Sequence, residues 1–273
     1  NFGIFFRFTR KMYSRTLIDS DNLNIDHTSK VRFNKIVNLF FENIDDKNKT
    51  FSVLHFMDPH APYISYREVG DKGILEEMQR VTKKIFLSSE IEGRDSKNLT
   101  SDEIDFIYER YKEEIKDLDN NLNSFIEKIK NKFDWEKTLI IITADHAEAF
   151  GEKGYMTHPS WKLSDVNHVK VPFIISGGIA KDLKVKKPNN VTWNKDAYDI
   201  LVKVYEGKDE INLRENKYTY GLFKEGDSNF ISSIFDPVKK VFVETKKDLR
   251  HHETYGKEIK KLIETEDIED IDI

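Results

Sequence analysis

Two short clusters of histidine and carboxylate side chains are the groups best suited to chemistry in this chain of 273 residues. The first cluster runs from His55 to Tyr63 and includes Asp58 and His60. The second runs from Asp145 to Glu148, with His158 a short loop beyond it. A carboxylate beside an imidazole can bind a divalent cation, and an imidazole can exchange protons near neutral pH. The two clusters therefore predict a metal-dependent site that acts on an anionic group.

The site residues fall into two predicted roles. Asp145 and His146 are predicted to supply one carboxylate oxygen and one imidazole nitrogen to a divalent cation, which would neutralise charge on a leaving oxyanion. His55, His60 and His158 are predicted to contact the outer oxygens of a tetrahedral ester or to protonate its leaving group.

Three of the polar residues have simpler interpretations that the sequence leaves open. His55 lies inside an apolar run and could be a hydrogen-bonded core histidine. His158 could be an ordinary loop residue. Glu148 is equally compatible with a hydrogen bond to a metal ligand and with a carboxylate at the start of a helix.

A strand is predicted directly before each cluster. Residues 138–143, TLIIIT, form a β-branched apolar run that ends just before Asp145. Residues 51–57, FSVLHFM, form a second apolar run, which ends at Asp58-Pro59. Since the carboxyl ends of parallel strands open on a common crevice, we expect the two clusters to meet if these strands are parallel neighbours.

The alternation of helical and strand patterns predicts an α/β fold in which a mostly parallel sheet is sandwiched by helices. Helices are predicted over residues 28–43, 75–86 and 100–129, and a third strand over residues 171–176. Residues 1–180 are predicted to form the C-terminal part of one α/β domain.

The C-terminal third of the chain has a different sequence pattern. Residues 183–194 predict a polar linker, and residues 195–205 predict a short helix. Three strand candidates predict a small antiparallel sheet, at residues 218–223, 229–235 and 240–244. Residues 253–273 predict one more helix and an acidic tail. The expectation for residues 181–273 is a small α+β subdomain packed on the first domain.

Composition excludes several classes of function. A formal net charge of −5, without a basic stripe of interleaved aromatics, excludes nucleic acid as the expected partner. The chain has no cysteine, which removes disulfides, thiolate ligands and a cysteine nucleophile within it. No apolar run reaches the roughly 20 residues of a membrane span. Nothing in the sequence fixes a cellular compartment.

Four segments, in order along the chain, resemble the sulfatase family within the alkaline-phosphatase-like superfamily. FSVLHFMDPHAPY resembles the family's strand and histidine-containing turn, and TLIIITADHAEAFGEKGYMTH resembles its Asp-His-Gly-Glu segment. YKEEIKDLDNNLNSFIEKI resembles the helix before that strand, and HVKVPFIISGG resembles a later strand of the family. The resemblance covers residues 51–178.

The resemblance implies roles for individual residues. Asp145 and His146 match the family's second pair of metal ligands. His60 matches a histidine that contacts the sulfate or phosphate group, and His158 falls where relatives carry a lysine or histidine facing that group. His55 matches an active-site histidine of the phosphoethanolamine-transferase branch, which shares its spacing to His60. The implied cofactor is one divalent cation, calcium by family default, with manganese or zinc compatible with the imidazole ligand.

The resemblance also sets the expected partners and the alternatives. The family's nucleophile motif and first metal-binding aspartates lie upstream of the segment that begins at Phe51, and neither has a match in this sequence. We therefore expect the chain to work with the N-terminal half of the same enzyme. The expected reaction is metal-dependent hydrolysis of a small-molecule or glycan sulfate or phosphate ester. A phosphoethanolamine- or phosphoglycerol-type transferase domain and a non-catalytic scaffold are the alternatives.

Overall fold

The computed structural model describes residues 29–44, 48–65, 68, 70–87, 96–158, 169–187, 192–213, 219–225, 228–236 and 241–248. The chain forms two compact units. The first contains Asn1–Lys84 and Ser101–Lys128, and the second contains Ile85–Thr100 and Ile129–Ile273. The division predicted from the sequence, at residue 180, remains a prediction. Mixed helices and small sheets agree with the α/β class expected from the sequence.

Three helices are described in the first unit, and all three were predicted. Helix α1 spans Ser29–Asn43, α2 spans Lys72–Leu87, and α3 spans Ser101–Lys132, and the last residues of α2 and of α3 belong to the second unit. Phe33 on α1 and Phe125 on α3 are buried and in edge-to-face contact, with ring centroids 6.4 Å apart. Aromatic packing of this kind fixes helices by apolar burial and by ring geometry together.

The buried face of α3 carries acidic as well as apolar side chains. Tyr108 and Ile115, two large apolar residues of this helix, are 43% and 40% exposed. The buried positions include three carboxylates, Glu103, Glu114 and Asp117. They recur at helical spacing, so one face of α3 combines apolar and acidic side chains. The carboxylate of Glu103 receives Nη1 of Arg80 and Nζ of Lys84 from α2, at 2.6 and 2.5 Å, which compensates its burial.

The prediction of a strand over residues 51–57 is wrong. This segment has no regular structure, and Phe51 and Val53 are 71% and 78% exposed. A strand forms only when a neighbour supplies ladder hydrogen bonds, and none of the described segments pairs with this one. The segment is held instead by a side-chain contact, since the ring of Phe56 stacks on that of Phe33 at 4.4 Å.

The second unit contains the strand that precedes Asp145. Strand β1, Ile140–Thr143, pairs with β4, Phe173–Ser176, in an antiparallel register that aligns Thr143 with Phe173. The prediction of a mostly parallel sheet is therefore wrong for this pair of strands. A continuous apolar run looks the same in parallel and antiparallel sheets, so the pattern predicted the strands but not their direction.

Helix α4, Asp196–Tyr205, covers one face of the β1–β4 pair. Its fully buried Ile200 is central to an apolar cluster with Ile211 and Leu213. The side chains that pack against this cluster come from β1 and the residue before it, from β4 and the segment after it, and from α4 itself: Leu139, Ile141, Phe173, Ile175, Leu183, Val185 and Val204. The cluster thereby fixes the position of β1, whose end leads to the candidate site.

The predicted linker over residues 183–194 contains regular structure. Strand β5, Lys184–Lys186, pairs in parallel with β6, Glu210–Asn212, a strand that was not predicted. This is the one parallel pair among the described strands. Strand β5 has no recognisable strand pattern in the sequence, because two of its three residues are lysines and only Val185 is apolar.

Three further strands form the predicted antiparallel sheet. Strand β7 spans Thr219–Glu225, β8 spans Ser228–Asp236, and β9 spans Val241–Asp248, in the order β7-β8-β9. The hairpin predicted from Asp236-Pro237 is confirmed by the pairing of β8 with β9. The helix and acidic tail predicted within residues 253–273 lie outside the described residues.

Candidate active site

A short hairpin brings two of the polar side chains together. Its strands are β2, Ala149–Phe150, and β3, Met156–Thr157, in antiparallel register with Ala149 opposite Thr157. Gly151 begins the connection at φ 101°, in the left-handed region that glycine enters without steric cost. Glu148 directly precedes β2 and His158 directly follows β3. Both therefore lie at the open end of the hairpin.

Glu148 and His158 form a close polar pair at that end. Nδ1 of His158 lies 2.8 Å from Oε1 of Glu148, and the Glu148 side chain is almost fully buried. A carboxylate in this position fixes the ring orientation of the imidazole and favours a hydrogen on the nearby nitrogen. Of the two interpretations left open for Glu148, the structure favours hydrogen bonding to a site histidine over a helix-start carboxylate, since a strand follows it.

His146 joins this pair. The rings of His146 and His158 have centroids 3.8 Å apart and planes inclined by 35°. One ligand atom each from His146, Glu148 and His158 all lie within 4.8 Å of one another. Nδ1 of His146 is 3.1 Å from the carbonyl oxygen of Ala147, which can only accept. That contact favours a hydrogen on Nδ1 and leaves Nε2 as the nitrogen of His146 that could bind a cation.

Asp145 is more exposed than its neighbours. Its side chain is 70% exposed, and its Oδ1 lies 3.7 Å from Nε2 of His146. The same oxygen accepts a hydrogen bond from the backbone N–H of His146 at 3.0 Å. The carboxylate is therefore held beside the imidazole by the local backbone, and His146 is common to the predicted ligand pair and to the group formed with Glu148 and His158.

The residue before His158 has an unusual backbone. Thr157 is buried and has a φ of 58°, in the left-handed region. A β-branched residue is rarely found there, and such strain is concentrated at functional sites. Thr157 is the last residue of β3 and directly precedes the candidate histidine, so the direction of the His158 side chain depends on it.

The first cluster, which contains His55 and His60, belongs to the first unit. The backbone N–H of His60 donates to the carbonyl oxygen of Met57 at 2.8 Å, closing a turn, and Nδ1 of His60 lies 2.7 Å from the carbonyl oxygen of Ala61. His55 is exposed, so its interpretation as a core histidine is wrong. The predicted roles of His55 and His60 toward an anion remain predictions.

Buried polar contacts hold the segment that follows His60. Oγ of the fully buried Ser65 donates to Oδ2 of Asp117 on α3 at 2.5 Å, and Glu68 forms an ion pair with Arg110. Burial raises the pKa of Glu68, although the nearby Arg110 guanidinium opposes this effect. Sequence reasoning missed this network. Acidic residues on the otherwise apolar face of α3 were the pattern that could have revealed it.

The chain matches the family model Sulfatase over residues 7–193 and belongs to that family. The match contains all five predicted site residues and reaches well upstream of the four segments recognised in the sequence. No curated protein matches the chain. Family membership supports an ester hydrolase of the sulfatase or alkaline-phosphatase type, and proteins of this family typically bind a divalent metal.

Within the part of the chain that the structure describes, no helix combines the length and apolar character needed to cross a membrane.

Proposed function

We propose that this chain contributes the metal-binding part of an enzyme that hydrolyses sulfate or phosphate esters. The observation that carries the proposal is the convergence of His146, Glu148 and His158 at the end of β1, within a region that matches the sulfatase family. A bound divalent cation would stabilise negative charge on the ester oxygens and on the leaving group.

The donor set fits a cation. Donor atoms in a tetrahedral site with metal–ligand distances of about 2.1 Å are roughly 3.4 Å apart. The three donor atoms already lie within 4.8 Å of one another, so only a small adjustment of side chains would close them around an ion. We propose His146 as the central ligand, with Asp145 as its predicted partner and with Glu148 and His158 adjacent.

The chemistry of these donors favours particular ions. Imidazole nitrogen suits zinc and manganese, whereas calcium prefers a shell of oxygen ligands. Two histidines among the converging residues therefore favour zinc or manganese over the calcium that the sequence resemblance implies by default. Glu148 orients His158, whose Nε2 would then be the nitrogen directed to the substrate or the ion.

The first cluster would act on the anion. We propose that His60, through Nε2, contacts the sulfate or phosphate group and that His55 lies near the leaving group. In this proposal the nucleophile comes from the N-terminal half of the same enzyme, as the family resemblance implies. The substrate would be a small-molecule or glycan ester.

Metal content tests the proposal directly. The purified chain is dialysed against Zn²⁺ or Mn²⁺, and bound metal is measured by mass spectrometry alongside the melting temperature. We expect about one ion per chain, and its loss in His146→Ala, whereas His252→Ala, outside the family match, should behave as wild type. No bound metal in the wild-type chain would overturn the proposal and favour the non-catalytic scaffold.

A transferase of the phosphoethanolamine or phosphoglycerol type is the second candidate. It is favoured by the spacing of His55 to His60 and of Asp145 to His158, which matches that branch. Assays of the complete enzyme with a sulfate ester, and with a phospholipid donor and a hydroxyl acceptor, separate the two. Phosphoryl-group transfer without sulfate release would select the transferase.

A further inference from the structure

A side-chain amide next to α4 is bonded to the end of β1. Nδ2 of Asn194 donates to the carbonyl oxygen of Ala144 at 2.6 Å, and Oγ1 of Thr143 donates to Oδ1 of Asn194 at 2.6 Å. The two bonds fix the orientation of the amide, because a carbonyl oxygen accepts only from its NH₂ end. Thr143 is the last residue of β1, and Ala144 directly precedes Asp145.

The turn that carries Asn194 is itself well anchored. The backbone N–H of Ala197 donates to the carbonyl oxygen of Asn194, and that of Asp196 donates to the carbonyl oxygen of Trp193. Oδ2 of Asp196, a residue that is 1% exposed, accepts from the N–H of Trp193 at 2.7 Å. This bond spans residues 193–196 and holds the turn that leads into α4.

Helix α4 contacts β1 at a second point. Its buried Ile200 belongs to the cluster against which Leu139 and Ile141 pack. The apolar contact holds the body of β1, and the amide of Asn194 holds its end. Two attachments of different chemistry, several residues apart, fix both the position of the strand and the direction in which the chain leaves it.

The hydrogen bonds described for the loop after β1 are short-range, although the ring of His146 also contacts that of His158. The carboxylate of Asp145 accepts from the adjacent N–H of His146, and Nδ1 of His146 contacts the adjacent carbonyl of Ala147. These bonds set the conformation within the loop, but they do not attach it to the rest of the unit. Asn194 supplies an attachment at the residue that precedes Asp145.

We propose that Asn194 is a positioning residue for the Asp145–His146 loop, acting through the backbone of Ala144 and the hydroxyl of Thr143. Its consequence for cation affinity rests on the function proposed above, whereas the attachment itself does not. Asn194 lies one residue beyond the family match, which ends at 193, so the match does not assign it.

Hydrogen–deuterium exchange of the whole chain without metal tests the attachment. In Asn194→Ala, amides within residues 143–148 should exchange about tenfold faster, while those of β5 and β6 stay unchanged. Thr143→Val should produce part of this effect and Thr143→Ser should restore wild-type exchange. Asn194→Asp keeps the acceptor but places a carboxylate oxygen against the carbonyl, so it should resemble Asn194→Ala. Asn212→Ala, an exposed asparagine of the same unit, is the matched control.

Mn²⁺ titration of the same variants tests the consequence. Loss of a group that orients a ligand typically costs about 10–100-fold in metal affinity, and we expect that range for Asn194→Ala. Unchanged exchange in Asn194→Ala would overturn the proposal. Faster exchange with unaltered Mn²⁺ affinity would overturn the link to the cation. A wild-type chain that binds neither Mn²⁺ nor Zn²⁺ would refute the proposed function alone, and faster local exchange would still support the attachment.

Discussion

The turn after β4 offers a quantitative test of the fold around β1. Gly177 has a φ of 101°, and a Cβ there would lie 2.2 Å from the carbonyl oxygen of Thr138. Gly178 has an ordinary φ of −61°, but its Cβ would lie 2.3 Å from Cα of Glu136. Both obstacles are backbone atoms, which cannot rotate away as a flexible side chain can. Alanine at either position should therefore displace the segment that leads into β1.

Two other glycines allow the cost of a steric clash to be separated from the cost of a left-handed backbone. Gly207 has a φ of 75° with no atom within 4 Å of the added Cβ, and Gly70 has neither a positive φ nor a close neighbour. A left-handed alanine costs roughly 1–2 kcal/mol. Overpacking costs about 1–3 kcal/mol. We expect destabilisation of about 1–2 kcal/mol in Gly207→Ala, about 1–3 kcal/mol in Gly178→Ala and about 2–5 kcal/mol in Gly177→Ala.

Urea unfolding of the four single variants measures these differences. Gly70→Ala should be neutral or stabilising by about 0.4–1 kcal/mol, because alanine restricts the unfolded chain. Should Gly177→Ala cost no more than Gly207→Ala, the close contact between this turn and Thr138 would be refuted. The packing that fixes the start of β1 would then be wrong as described.

Three further predictions concern the core, a buried carboxylate and the cation. Phe125→Ala should lower the free energy of unfolding, measured in urea, by about 3–5 kcal/mol. Substitution of the exposed Phe51 by alanine should lower it by less than about 0.5 kcal/mol. Equal losses of stability would contradict the aromatic core of the first unit. Burial raises the pKa of Asp196, so its contribution to stability is complete below the ordinary value of 3.8 and is lost as the pH rises through the raised pKa. Asp196→Asn should therefore gain stability relative to wild type between about pH 4 and pH 7, and a pH-independent difference in unfolding free energy would count against this. Zn²⁺ at 100 times its Kd should stabilise the chain by about 2.7 kcal/mol and should have no such effect on His146→Ala; equal stabilisation of both would exclude His146 as a ligand.

Elements with a strong internal pattern were predictable from the sequence. The three helices of the first unit and strands β1, β4 and β7 to β9 follow from apolar periodicity and turn residues. Strand direction was not predictable, because pairing depends on partners distant in the chain. The segment 51–57 shows the same limit, since its apolar residues satisfy the strand pattern without a neighbour to complete the ladder.

The candidate site was predictable only in part. Asp145, His146 and His158 stand out because they follow an apolar strand pattern and a glycine-containing loop. The hydrogen bond from His158 to Glu148 depends on hairpin register, which the sequence does not specify uniquely. The contact of Asn194 could not be predicted from the sequence, because a single amide in a polar stretch bonds the end of a strand that is distant in sequence.

X-ray absorption of the Zn²⁺-loaded chain reads out the proposed cation site at His146 and its neighbours. We expect about one zinc per chain, with imidazole nitrogens and carboxylate oxygen at about 2.0–2.2 Å. Imidazole scattering should diminish in both His146→Ala and His158→Ala. A spectrum of fully hydrated zinc, or one that neither substitution alters, would exclude a cation site at these residues.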